Sequence, residues 1–268
     1  MKGAGLRVYT ALYLVFLYLP IVLLPIFAFN DSTVIAFPLG GFTTGWFAEL
    51  AAVEALHAAV LTSVKIAVIT ALVSTLLGIC AARAAARYRF PGKSGILGLI
   101  MLPLVLPEII VAVSLLVVFL QIGLPLSALT VILGHVLICT PFAIAILNPA
   151  FQSLDVSLEE AAVDLGETAW GTFRLIVLPL VMPGVISSLL IAFTISMDEF
   201  IIAFFLSGSD ATLPVYLWGQ FRFPQRLPVV MALGSILVLL SVLLLVLAEL
   251  ARRRGARRRG ALDTGGFL

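Results

Sequence analysis

The sequence predicts an all-α membrane protein that crosses the bilayer several times. Of its 268 residues, 62% are hydrophobic and only 11% are charged, and the mean hydropathy is +1.20. Soluble domains do not carry so much apolar surface, and the apolar runs reach the ~20 residues that a helical span requires. The runs are too continuous for barrel strands, which alternate in short segments. The basic residues flank these runs, so no nucleic-acid partner is expected.

Six segments are long and apolar enough to be spans, and they define a membrane domain at residues 1–250. The six are 8–29, 58–82, 96–120, 127–150, 175–207 and 228–250. The fifth contains Pro179 and Pro183, so its first turns are expected on the membrane surface. A polar loop, 151–175, precedes the fifth span, and a basic tail, 251–268, follows the sixth.

The positions of Lys and Arg predict which way the spans point. With the N-terminus inside, thirteen of these residues fall in cytoplasmic segments, while Arg222 and Arg226 lie outside and Lys65 lies within a span. The positive-inside rule then places both termini and the loop 151–175 in the cytoplasm. The arginines of the tail are interpreted as a topology anchor, with binding to anionic lipid headgroups as the alternative.

The loop 151–175 has the pattern of two short helices joined by a hinge. Asp155 or Ser157 can cap the first helix, because a side-chain oxygen accepts from an otherwise unpaired amide. Gly166 permits a backbone reversal that a residue with a Cβ resists. Apolar side chains recur at helical spacing on both sides of this glycine. They are Leu158, Ala161, Ala162 and Leu165 before it, with Glu159, Glu160 and Asp164 flanking them, and Trp170, Phe173 and Ile176 after it.

This loop resembles the coupling-loop signature of ABC importer permeases, which is Glu-Ala-Ala, three residues, Gly, nine residues, Ile, one residue and Leu-Pro. All seven fixed positions match, and they are Glu160, Ala161, Ala162, Gly166, Ile176, Leu178 and Pro179. The resemblance implies the type I ABC importer permease fold, with these residues and Phe173 coupled to an ATPase. A push on the first helix would then move the fifth span.

Weaker similarities extend over nearly the whole chain, towards the permeases of spermidine/putrescine importers. They are carried by the segments 42–46, 87–93, 107–110 and 196–200. The resemblance implies a bacterial inner-membrane protein, a cytoplasmic ATPase dimer, a related but different second permease and a periplasmic solute-binding protein. The chain has no phosphate loop of the GxxxxGK[ST] type, so ATP is expected to bind another subunit. No catalytic residue, cofactor or metal is expected.

Three carboxylates in the predicted spans are candidates for the solute path, namely Glu108, Asp198 and Glu199. A charged side chain near the bilayer centre costs roughly 2.5–3.5 kcal/mol, so each needs a reason to be there. Spaced carboxylates would favour the ammonium groups of a polyamine. The alternative is structural pairing, for example between Lys65 and Asp198. Adjacent helical residues point about 100° apart, so one acid of the Asp198–Glu199 pair is expected to face the path while the other pairs with a neighbour.

Other interpretations of the sequence remain open at this stage. His135 is predicted to be a hydrogen-bonded helix contact, because a proton relay would need partners beside it. The solute of an ABC permease could instead be iron, thiamine or an opine-like compound. An ion-coupled secondary transporter would keep the membrane acids but would not need the coupling loop. An intramembrane enzyme is disfavoured because neither HExxH nor GxSxG occurs.

Overall fold

The structure is a computed structural model that describes residues 2–258. In this part of the chain the regular elements are helices, apart from one isolated bridge between Asn30 and Phe42. The α-helices are α1 (Lys2–Ala28), α2 (Gly45–Ala52), α3 (Glu54–Arg87), α4 (Lys93–Met101), α5 (Glu108–Gln121), α6 (Ala128–Gln152), α7 (Val156–Asp164), α8 (Ala169–Thr172), α9 (Leu178–Asp198), α10 (Ile201–Leu206), α11 (Leu213–Gln220) and α12 (Leu227–Arg258). The all-α prediction is confirmed.

The chain divides into two compact units, and the first combines its two ends, up to Val53 and from Leu217 onward. In this unit α1 packs along α12. Asn30 organises the loop that joins α1 to α2, because its side-chain Oδ1 accepts from the Gly40 amide at 2.9 Å. Its main-chain carbonyl accepts from Trp46 Nε1 at 2.8 Å. One polar side chain and its backbone thereby fix this loop.

The second unit, Glu54–Tyr216, is built on the packing of α3, α6 and α9. At Gly78 on α3, an added Cβ would lie only 2.7 Å from the Cβ of Ala143 on α6. Small residues let membrane helices approach this closely. A hydrogen bond of 3.0 Å between the hydroxyls of Thr75 and Ser188 joins α3 to α9. These contacts fix α9 against α3 and α6. The loop 151–175 precedes α9, and the helix is interrupted after its last residue, Asp198.

Four helices are long and apolar enough to cross a bilayer as single segments, and one bent pair is a fifth candidate, within the described residues. The single segments are Gly5–Ala28, Glu54–Arg87, Ala128–Gln152 and Ala169–Asp198. They cover the first, second, fourth and fifth predicted spans. The sixth, 228–250, lies within α12, which continues to Arg258. Residues 259–268 of the predicted basic tail lie outside the described part.

The third predicted span, 96–120, is not one helix. Lys93–Leu104 and Glu108–Gln121 meet at an angle of 102°. Pro103 and Pro107 lie at this bend, and proline lacks the amide hydrogen and crowds the preceding turn, so the helix cannot run straight through them. Glu108 therefore begins a helix, whereas the sequence analysis placed it inside a continuous span.

The fifth predicted span, 175–207, also differs from the expectation. The helical path starts earlier, at Ala169, and ends at Asp198. Glu199 has extended backbone with φ −71° and ψ 119°, and α10 starts two residues later at Ile201. The expected relation of Asp198 to Glu199 along one continuous helix is therefore wrong, because the helix ends between them.

Candidate coupling segment and solute path

The first helix of the coupling loop, α7, starts as the sequence predicts. The Asp155 carboxylate accepts from the Ser157 amide at 3.0 Å and caps the helix. Hydrogen bonds from the backbone and then the side chain of Ser157 hold the pKa of Asp155 below its ordinary value. Of the two cap candidates, Asp155 is therefore the one used. The cap stays charged at neutral pH, where it satisfies one of the free amides of the first turn.

The hinge between α7 and α8 depends on Gly166. Its φ is +91°, a conformation that L-residues with a Cβ adopt only with strain. No neighbouring atom lies within 4 Å of where its Cβ would be, so the restriction comes from the backbone alone. Thr168 then caps α8 by accepting from the Gly171 amide at 3.0 Å. The sequence elements between 155 and 171 thus build a helix, a reversal and a second helix from local signals.

The second half of the loop runs without a break into α9. Phe173–Val177 form a π-helical turn that joins α8 to α9. Pro179 explains this turn, because a proline cannot donate to the carbonyl one turn earlier and its ring crowds that carbonyl. The wider π turn relieves the clash while the helix continues. The segment from Ala169 to Asp198 is consequently one continuous helical element.

The predicted coupling residues divide into an exposed set and a set that is at least partly buried. Exposed are Glu160, Ala161, Gly166 and Pro179, while Ala162 is buried and Phe173, Ile176 and Leu178 are half-buried. Apolar side chains beside the exposed set also face outward, with Leu165 88% and Trp170 69% exposed. Exposed large apolar groups in a polar loop are typical of a protein-binding surface.

The contacts between α7 and the end of α3 are not predicted from the sequence. Glu159 forms ion pairs with two arginines near the end of α3, at 2.7 Å from Arg87 Nε and 3.5 Å from Arg83 Nη2. The guanidinium of Arg83 also lies 4.7 Å from the centre of the Phe173 ring. The sequence did contain a signal, since opposite charges occur in two segments that both face the cytoplasm by the charge rule.

The three candidate path acids lie in two kinds of surroundings. Glu108 and Asp198 are exposed, whereas Glu199 is only 8% exposed. Each lies at a helix terminus, because Glu108 is the first residue of α5, Asp198 is the last of α9, and Glu199 precedes α10. A helix N-terminus stabilises a negative charge and a C-terminus destabilises it. Glu108 and Glu199 are therefore favoured by their helices, and Asp198 is not.

The carboxylate of Glu199 is engaged by its own chain. Its oxygens accept from the Ile202 amide at 3.0 and 3.1 Å and from the Ala203 amide at 3.2 Å. These amides begin α10 and would otherwise lack partners. Glu199 thus caps the helix that follows the break. Its burial favours the pairing interpretation over a direct role in the path.

His135 on α6 completes this buried cluster. Its Nδ1 lies 2.7 Å from the Ser196 hydroxyl, and its Nε2 lies 3.3 Å from Glu199 Oε2. The second contact is close enough for an ion pair, but it lacks the alignment of a hydrogen bond, which leaves Nε2 without a hydrogen-bond partner. The contact between His135 and Glu199 is therefore electrostatic. As predicted, His135 is a helix-contact residue with a hydrogen bond.

The proposed partner of Asp198 is not found beside it. Lys65 and Asp198 are both exposed, and no ion pair joins them among residues 2–258. Asp198 therefore presents its negative charge at a helix C-terminus without compensation from the described side chains. A cation that approached this position would supply the missing stabilisation.

Comparison with known proteins gives one family and a consistent set of relatives. Residues 74–257 match the family model described as "Binding-protein-dependent transport system inner membrane component". The chain is 35% identical over 245 residues to the spermidine/putrescine transport system permease protein PotC of Escherichia coli strain K12, covering 91% of this chain and 92% of the relative. It is 38% identical over 231 residues to the putrescine transport system permease protein PotI of the same strain, and the match covers 83% of this chain and 82% of PotI.

Two crystal structures share the fold. A bacterial ABC transporter that imports the acidic polysaccharide alginate contains a chain with a TM-score of 0.72 and 15% identity, covering 94% of this chain and 95% of that one. A chain in the complex of a bacterial alginate ABC transporter with an alginate pentasaccharide-bound periplasmic protein has a TM-score of 0.69 and 19% identity, covering 90% of this chain and 91% of that one. At this identity the likeness concerns the fold alone.

Proposed function

Because the chain belongs to the family of binding-protein-dependent transport system inner membrane components, we propose that it imports a polyamine such as putrescine or spermidine. In this proposal it is one permease of an ATP-driven importer and works by alternating access. The similarity to the spermidine/putrescine and putrescine permeases supports a polyamine as the solute. As a permease, the chain is a transport subunit, and ATP hydrolysis belongs to a separate partner.

One observation supports the mechanism more than any other. The helical element Ala169–Asp198 has the exposed coupling segment at one end and the uncompensated carboxylate of Asp198 at the other. A displacement of α7 by an ATPase would pass through the Gly166 reversal to this continuous helical element, and along it to the solute path. At 1.5 Å per residue such an element is about 45 Å long, which is enough to cross a bilayer.

The proposed assembly follows from the family. A cytoplasmic ATPase dimer would bind the importer, and Glu160, Ala161 and Gly166 of this chain's coupling loop would lie at the contact. A second permease, related but different, would complete the pore, and a periplasmic binding protein would deliver the solute. Six crossings with both termini in the cytoplasm place the exposed coupling loop on the ATPase side, and the distribution of Lys and Arg supports this orientation.

Within the path, the exposed acids Asp198 and Glu108 are proposed to face the solute. Asp198 has the stronger case, because its position at a helix C-terminus leaves its charge available to a cation. Glu199 is proposed to contribute indirectly, because its cap on α10 fixes the interruption between α9 and α10, next to Asp198. A polyamine has ammonium groups separated by methylenes, so two spaced carboxylates suit it better than a single one.

The test is uptake of labelled putrescine and spermidine by cells that express the chain with its ATPase, partner permease and binding protein. We expect Asp198→Asn to raise the half-saturating polyamine concentration roughly fivefold, which corresponds to about 1 kcal/mol for one exposed ion pair. Asp210→Asn is the matched control, since Asp210 is an exposed acid in the segment after α10. Its uptake should equal that of the wild type.

Two results would contradict the proposal. Absence of polyamine uptake by the complete wild-type importer would remove the substrate assignment. Uptake that persists when the ATPase is omitted would indicate an ion-coupled secondary transporter. Assembly of Asp198→Asn with the ATPase is measured in parallel by co-purification, so that a folding defect is not mistaken for a loss of solute binding.

A further inference from the structure

From the arginine cluster at the end of α3 we infer that Arg83 and Arg87 are positioning residues. They hold the coupling segment against α3, so that a movement of α7 displaces α3 as well as α9. The inference rests on the proposed coupling function and adds a second mechanical connection to it. The brace consists of Arg83, Arg87, Glu159 and Phe173, together with the carbonyl of Leu154. It lies wholly within the unit Glu54–Tyr216.

Arg87 ties the two sides of the turn that starts the coupling loop. Its Nε lies 2.7 Å from Glu159 Oε1 on α7, and its Nη2 donates to the Leu154 carbonyl at 3.1 Å. Leu154 follows α6 and precedes α7, so one guanidinium fixes the start of the loop and the helix after it. The planar fork of arginine suits two acceptors at once, whereas the point charge of lysine does not.

Arg83 connects the same carboxylate to the other half of the loop. Its Nη2 lies 3.5 Å from Glu159 Oε2, and its guanidinium lies over the Phe173 ring at 4.7 Å. Phe173 begins the π turn that leads into α9. Arg83 thus contacts both α7 and the root of α9, and residues four apart on α3 act on the same face of that helix.

The brace is more protected from water than an ordinary surface ion pair. The side chains of Arg83, Arg87 and Glu159 are 21%, 15% and 18% exposed. Salt screens such partly buried charges less than exposed ones, and loss of one partner leaves the others desolvated without compensation. A fixed geometry of this kind can transmit displacement, which a freely solvated pair cannot.

The two adjacent glutamates of the loop then have different tasks. Glu160 is exposed, while Glu159 is directed to the arginines of α3. A helix presents neighbouring residues about 100° apart, so the outward acid and the inward acid occupy different faces. Glu160 would meet the ATPase, and Glu159 would pass the resulting movement to α3.

The brace is tested by charge exchange in the complete importer, reconstituted in proteoliposomes. Uptake and ATP hydrolysis are measured for wild type, Arg87→Glu, Glu159→Arg and the double variant. We expect each single variant to hydrolyse ATP but to import at least tenfold less solute per ATP. The double variant should recover to within about threefold of wild type, because the pair is restored in reverse. Arg89→Glu is the matched control. Arg89 lies two residues after the end of α3 and is exposed, so uptake by this variant should remain coupled to ATP hydrolysis.

A second measurement does not depend on the identity of the solute. Spin labels replace the exposed Leu76 on α3 and Val163 on α7, in a Cys80→Ser background. In the wild-type importer the brace predicts the same distance distribution without nucleotide and after vanadate trapping. In Arg87→Glu we expect the distribution to broaden or shift between the two states.

The inference is overturned if the single variants remain coupled, or if the double variant is no better than the singles at equal assembly. It is also overturned if the wild-type distance between α3 and α7 changes on trapping. These outcomes differ from failure of the proposed function, in which the wild-type importer shows no ATP-dependent polyamine uptake although the distance measurement still reports on the brace.

Discussion

The coupling segment, residues 151–175, leads into the helical element Ala169–Asp198, and the helix is broken directly after Asp198. These two regions owe their shapes to different causes. The coupling segment is specified by neighbours in sequence. The break is specified by side chains that come together only in the folded protein. The first is therefore readable from the sequence, and the second is not.

The local character of the coupling segment shows in its hydrogen bonds. Asp155 caps over two residues and Thr168 over three, while Gly166 supplies the left-handed turn between them. Each of these features is a property of a residue type and its immediate position. The sequence predicts the two short helices and the reversal between them. It does not predict the π-helical turn at Phe173–Val177 or the ion pairs of Glu159 to α3, which span more than seventy residues.

The break has the opposite character. Glu199 caps α10 locally, but its buried carboxylate also contacts His135 on α6, and His135 in turn is hydrogen-bonded to Ser196, 61 positions further along the chain. A pattern of apolar residues continues through 199 and favours an unbroken helix. The sequence predicts that one acid of the Asp198–Glu199 pair contacts a neighbour, but not which one. Tertiary packing makes Glu199 the buried cap and leaves Glu108 and Asp198 exposed.

The largest effect is expected from removing the buried cap. Glu199→Leu should lower stability by about 1–3 kcal/mol, since the amides of Ile202 and Ala203 would lose their acceptor in a buried setting. Asp198→Leu is the matched control, because it changes the adjacent, exposed acid and should alter stability by less than about 0.5 kcal/mol. Thermal unfolding of the purified importer in detergent measures both.

Equal loss of stability in the two leucine variants would remove the distinction between the two ends of the element. Glu199→Gln sharpens the comparison, because an amide oxygen still accepts from the helix. This variant should lie between wild type and Glu199→Leu.

A smaller effect on stability, but a clear one on coupling, is expected at the hinge. Gly166→Val places a β-branched residue at positive φ, which costs about 1–2 kcal/mol locally and should displace α7 from α8. We expect normal assembly with several-fold less solute imported per ATP hydrolysed. Gly166→Asn is the graded control, since asparagine tolerates the left-handed region and should retain most of the coupling.

Retention of full coupling in Gly166→Val would mean that the reversal is not needed to transmit movement. An identical loss in Gly166→Asn would point to the side chain itself, and not to the backbone conformation, as the cause. Either result would separate the coupling function from the geometry argued above.

The spans, too, are only partly predictable from the sequence. Composition and hydropathy identified the membrane class and the positions of most spans, because apolar length is a local property. Pro103 and Pro107 show in the sequence where the third span can bend, but the angle of 102° is seen only in the structure. The arginines of α3 were used only to orient the chain, and their contacts with Glu159 could not be derived from charge alone.

The central claim is that movement of the coupling segment changes access to the path at the far end of the same helix. It is tested most directly by Asp198→Cys in a Cys80→Ser background, where the native Cys139 is buried at 1% exposure. The rate at which a membrane-impermeant thiol reagent labels the introduced cysteine from the periplasmic side is compared without nucleotide and after vanadate trapping of the assembled importer. We expect labelling rates that differ severalfold between the two states. Equal labelling rates in both states, with the ATPase bound and trapped, would contradict it.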